Sequence, residues 1–185
     1  MVVEHLTRLF EAPAFIADRY RDDQIAGGVE FIFGSRSEYL GAMRSDEVPA
    51  EAQVRCMRSI ATCYTDLFDR VCNARGAKPR KDMRDASALD ETVCRIWDMD
   101  CLEGAIMFPE KQPHLEEPGV WVLQTILERC EMSTCLASAL AGVGSIMLVR
   151  DEDEAFCDWL HAIRLPFRKR RDIPRWLKRY SAWAM

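Results

Sequence analysis

The sequence predicts an all-α protein made of antiparallel helical pairs, arranged as a HEAT- or armadillo-like α-solenoid or as a compact helical bundle. Three observations carry this. Apolar residues recur at three- and four-residue steps through most of the 185 residues, while strand-like alternation is scarce. Glycine and proline number only 9 and 8, too few for a linker-rich chain. A weak internal echo, "DETVCRIWDMDCLEGAIM" against "EMSTCLASALAGVGSIML", sets Cys94 opposite Cys135 and Met107 opposite Leu148. Each is followed by a helix bearing a tryptophan, Trp121 or Trp159, and a repeat of about 40 residues with two helices is the HEAT or armadillo pattern.

Taken in order, the first segment to justify is "DDQIAGGVEFIFGS". Ile25, Val29, Ile32 and Phe33 fall on one helical face, with Asp22 or Asp23 as the cap. Val29, Phe31 and Phe33 also alternate, so a strand is the rival reading; the helical spacing on both sides favours the helix. An interior glycine costs a helix about 1 kcal/mol relative to alanine. The adjacent Gly27 and Gly28 are therefore expected to mark a crossing with another helix. A phosphate-cradling loop needs a Gly-x-Gly pattern between strand and helix, which is missing here.

"PAEAQVRCMRSIATCYTDLFDRVCNARG" is the clearest helix. Pro49 suits its start, Glu51 complements its positive end, and Gly76 is the stop. Val54, Met57, Ile60, Ala61, Tyr64, Leu67, Phe68 and Val71 form its apolar stripe. "GAKPRKDMRDAS" follows as a polar loop. "ALDETVCRIWDMDCLEGAIMF" reads as one further helix, capped by Asp90 and ended by Pro109, with Val93, Cys94, Trp97, Cys101, Leu102, Ala105 and Phe108 along one side. Three more helices are expected in "VWVLQTILERC", "STCLASALAGVGSIMLV" and "DEAFCDWLHAI". The small residues from Ala137 to Ser145 predict close helix packing.

Charge divides the chain. Residues 164 to 185 hold eight basic and one acidic side chain, a balance of +7, so the first 163 residues carry −12 of the net −5. The expected organisation is an acidic helical body, 1–163, with a basic amphipathic helix, 164–185, docked on it. In "RLPFRKRRDIPRWLKRYSAWAM" an apolar stripe runs through Ile173, Trp176, Leu177, Tyr180 and Trp183. The candidate interaction residues are Arg168, Lys169, Arg170, Arg171, Arg175, Trp176, Lys178, Arg179, Tyr180 and Trp183.

The eight cysteines (Cys56, Cys63, Cys72, Cys94, Cys101, Cys130, Cys135 and Cys157) are expected as free thiols of a cytoplasmic protein, at least six of them largely buried. The start, "MVVEHLTRLFEAPAF", has no apolar signal core, and the longest low-charge run is 15 residues, short of a bilayer span. No Cys-x-x-Cys spacing marks a zinc or redox site. Asp158 and His161 make a single Asp-x-x-His step, whereas a carboxylate-bridged metal site in a bundle needs two such steps. Asp100 and Glu103 share a face, with no base or nucleophile beside them in the sequence. No cofactor, metal or catalytic residue is therefore assigned.

The segments "DQIAGGVEFIFGS", "IWDMDCLEGAIMF" and "CLASALAGVGSI" resemble a family of uncharacterised bacterial proteins with a DQIAGG-type helix near the start and HEAT-like helical pairs behind it. The likeness spans roughly residues 20 to 163. In that family the later pair bears a Leu-His-Gly-Leu-Gly-His stretch. The matching position here, "SALAGVG", has no histidine, so no metal or catalytic role carries over. The resemblance implies a helical scaffold and no reaction. The function expected is protein–protein interaction, as an adaptor or an immunity-type partner, with another protein or a homo-oligomer mate. The alternative is a binder of nucleic acid or anionic membrane through the basic helix.

Overall fold

The computed structural model describes residues 2–34, 38–72, 86–98, 100–107 and 110–147, together with 154, 158, 159 and 162. Among these residues all regular structure is helical. Helix α1 (Val2–Glu11) buries Val3, Leu6 and Phe10, whose spacing alone accounts for it. The short α2 (Ala14–Arg19) follows Pro13 directly.

Helix α3 (Asp22–Phe33) contains the two glycines. Ile25, Val29 and Phe33 are buried while Phe31 is 62% exposed, which a strand with Val29, Phe31 and Phe33 on one face would forbid. The cap differs from expectation: Arg21 is the N-cap, and the Gln24 side chain accepts from the Arg21 backbone N–H at 3.1 Å. Helix α4 (Glu38–Met43) buries Leu40 and Met43.

The longest run starts after Pro49 as α5 (Ala50–Cys63), passes through a π turn (Tyr64–Phe68) and ends as α6 (Asp69–Val71). The stripe from Met57 to Val71 is buried as predicted. The expected stop at Gly76 and the polar loop after it lie outside the described residues.

The next segment departs from the single predicted helix. It forms α7 (Ala88–Cys94), a 3-10 turn (Ile96–Asp98) and α8 (Asp100–Met107). The reason is phase. Val93 and Leu102, nine residues apart, would stand on opposite sides of a straight helix at 3.6 residues per turn. Both are fully buried in one core, so the chain must be re-phased between them, and the turn does this. The cap is Ser87, not Asp90. Ser87 Oγ accepts from the Asp90 N–H at 3.1 Å and donates to Asp90 Oδ2 at 2.7 Å.

Helix α9 (Glu116–Arg129) begins earlier than expected, because Pro118 in its first turn lacks only a donor that no turn would use. Helix α10 (Ser133–Met147) completes the described bundle. Packing runs from α1 to α5, α9, α10, α7 and α3, with α8 against α4, α9 and α10. The architecture is therefore a compact bundle that joins elements distant in sequence. Two glycines do serve close crossings. A Cβ on Gly119 would lie 2.7 Å from Ile106 Cγ1, and one on Gly142 would lie 2.8 Å from Leu123 Cδ2 and 3.1 Å from the Trp97 ring. Buried polar groups tie the centre: Tyr64 Oη donates to Ser138 Oγ and Ser138 Oγ to the Val93 carbonyl, each at 2.7 Å. Of the six described cysteines, all free, five are buried and Cys94 is half-buried.

Candidate docking groove

Among the described residues, nothing crosses α3 at Gly27 and Gly28. A Cβ built on either one meets nothing within 4 Å, and both residues are exposed. The expected helix crossing is therefore not found among the described residues. No described part of this chain approaches the glycine face of α3.

Gly28 instead borders an apolar groove of about 280 Å³. One wall is α1 with Leu9 and Phe10, and the opposite wall is α3 with Ile25, Val29 and Ile32. Phe15, Ile16 and Tyr20 of the α2 region close one side, and Leu67 and Phe68 of the π turn form part of the lining. Phe10 and Phe33 stack at 5.4 Å between ring centroids, and Tyr64 meets Phe68 edge-on at 5.1 Å, which makes the walls stiff. The groove reaches the surface through large exposed rings: Phe15 is 43% and Tyr20 46% exposed. Phe31, three residues beyond Gly28, packs against the half-exposed Tyr39 at 4.9 Å. The result is an aromatic surface beside bare helix backbone.

The groove has little chemistry of its own. Burial pushes the Cys63 thiol up to about 12, so it lines the groove as a neutral, unreactive group. Gln24 is engaged with the Arg21 N–H. The surrounding charges are largely paired: Arg55 with Glu11 through two bonds of 2.7 Å, Arg21 with Asp23, and Arg70 with Asp18 at 3.8 Å. The Arg55 hydrogen bonds hold the Glu11 carboxyl below its ordinary range. The arrangement suits a binding surface for an apolar face.

The sequence-predicted interaction residues, Arg168 to Trp183, lie outside the described residues, as does His161. Asp158 is exposed. His5 is exposed, and His114 contacts the Gln53 side-chain oxygen. Sequence reading passed over α1 and α2, although Val3, Leu6 and Phe10 gave the signal for the first. It also passed over a meeting of Asp69, Cys130 and Cys135, the one potential metal-ligand cluster among the described residues. No described helix is long and apolar enough to cross a membrane. No family model, curated protein or solved structure matches the chain.

Proposed function

We propose that this protein is a helical scaffold for protein–protein interaction, an adaptor or immunity-type partner, which receives an amphipathic helix of its partner in the groove between α1 and α3. The observation that carries the reading is the open glycine face of α3 beside an apolar, aromatic groove. Two glycines in mid-helix are a standing loss of about 1 kcal/mol each, and close approach of a second helix is the packing gain that offsets such a loss. The partner helix presents apolar side chains at i, i+3, i+4 and i+7 and carries lysine and arginine on its flanks. Basic flanks follow from the −12 charge of the first 163 residues. The same proposal includes a HEAT-type origin of the helical pairs, supported by the 41-residue echo, and a cytoplasmic setting, supported by six free thiols. Residues 164–185, read as a docked basic helix, have the chemistry expected of the partner.

The test uses the full-length chain and two labelled helical peptides with identical apolar faces, one with basic and one with acidic flanks. Fluorescence anisotropy is expected to show saturable binding of the basic peptide, weakened at least about tenfold by Gly28→Trp, which fills the groove edge. Binding that is indifferent to Gly28→Trp overturns the proposal. So does a chain that ignores both peptides yet binds anionic vesicles or duplex DNA at physiological salt, and that result favours action through the basic helix.

A further inference from the structure

Two thiols and one carboxylate converge where α6, α9 and α10 end or begin, and a third thiol lies beside one of them. Cys72 follows the last residue of α6, Cys130 follows the last residue of α9, and Cys135 is the third residue of α10. The sulfurs of Cys130 and Cys135 and a carboxylate oxygen of Asp69 lie within 4.8 Å of one another. Cys72 lies beside Cys135. Burial first, and then the adjacent Cys130 and Cys72 thiols, push the Cys135 thiol well above its ordinary range. All three cysteines are buried and Asp69 is half-buried, so the carboxylate marks the side open to solvent.

The three donors are close to occupying three corners of a four-coordinate site. Zinc–sulfur bonds of about 2.3 Å put two ligand sulfurs of a tetrahedron about 3.8 Å apart, so ligands spread over 4.8 Å need draw in by only about an ångström. The frame is also braced. Asp69 Oδ1 accepts from the Glu131 N–H at 2.9 Å and the Met132 N–H at 2.7 Å. These bonds fix the link between α9 and α10, and hence the positions of Cys130 and Cys135 relative to the carboxylate. Both fall on Oδ1. In sequence Cys130-x4-Cys135 falls within the spacing by which zinc sites are usually built, and Asp69 stands far upstream of it. The cysteine pair is not Cys-x-x-Cys and the third donor is an aspartate, so a search for that motif misses the site.

We propose that Cys130, Cys135 and Asp69 form a binding site for a thiophilic divalent cation of the zinc class, clamping α6 to the α9–α10 link. Two sulfurs select against magnesium and calcium, which require oxygen donors. Binding releases the thiol protons to solvent, since a thiolate and not a thiol is the ligand.

Cobalt(II) is the probe, added to the reduced, chelator-treated full-length chain and then displaced by zinc. The expected result is one cobalt per chain, with the sulfur-to-cobalt charge-transfer band and the intense d–d bands of a tetrahedral thiolate complex. Cys130→Ala and Cys135→Ala each lower the affinity by about 100-fold or more. Asp69→Asn retains an oxygen that accepts both backbone bonds, so it keeps the fold, and it weakens binding by about tenfold. Cys56→Ala, which removes a buried thiol elsewhere in the core, leaves the titration unchanged. Far-UV circular dichroism on each variant separates loss of the site from loss of the fold. An absent thiolate band in the folded wild type overturns the proposal, as do bands of undiminished strength in a folded Cys130→Ala or an Asp69→Asn that binds as tightly as the wild type.

Discussion

Replacing glycine by alanine at four helical positions separates open from filled surroundings. At Gly27 and Gly28 the new methyl group meets nothing within 4 Å, so the helix-propensity gain is undiminished, about 1 kcal/mol at each site. Gly142→Ala has the same intrinsic gain, but its methyl lands 2.8 Å from Leu123 Cδ2 and 3.1 Å from two atoms of the Trp97 ring. Leu123 and Trp97 are fully buried and have nowhere to retreat. Overpacking of this kind costs about 1–3 kcal/mol, which leaves a net change from near zero to a loss of about 2 kcal/mol. Gly119→Ala, 2.7 Å from Ile106 Cγ1, follows Gly142 in direction. Urea unfolding followed by circular dichroism at 222 nm reads the differences as midpoint shifts at constant slope. In thermal melts 1 kcal/mol amounts to about 2–4 °C for a chain of this size. A Gly28→Ala protein less stable than wild type would refute the reasoning, for it would mean that something already rests on that face. Gly142→Ala more stable by a full kcal/mol would do the same for the crossing.

The buried thiols predict a response to alkali. Burial raises Cys56 to about 11 and Cys63 to about 12, against 9.0 for the free group. Raised values mean that the folded state holds protons the unfolded state has lost. Stability is therefore full below about pH 9 and falls through the window from 9 to about 12, by about 1.4 kcal/mol per pH unit per thiol. Urea midpoints measured from pH 7 to 10.5 check this, and a flat profile above pH 9 contradicts it. Tyr64 and Ser138 predict a second outcome: Ser138→Ala strands the Tyr64 hydroxyl in the core and costs about 1–3 kcal/mol, and Tyr64→Phe with Ser138→Ala recovers part of it. A double-mutant cycle that shows no coupling rules out the hydrogen-bonded relay.

The sequence alone established the helical class and most of the α5 core stripe, because helices are decided locally. Their hydrogen bonds close over four residues, and their apolar faces repeat at 3.6, so Met57, Ile60 and Leu67 announce their burial without reference to the rest of the chain. The same locality explains the failures. A continuous pattern from Ala88 to Phe108 concealed the turn at Ile96–Asp98, since only the shared core demands that Val93 and Leu102 face the same way. The glycines of α3 and α10 look alike in sequence. What distinguishes them is which ring or methyl stands opposite, and for Gly142 that includes Trp97, 45 residues away. Asp69 meets the Met132 N–H across 63 residues and comes within ligand distance of Cys130 and Cys135. No spacing rule reaches that far. The groove between α1 and α3 and the thiol cluster at the end of α9 exist only because packing joins segments that carry no mark of each other.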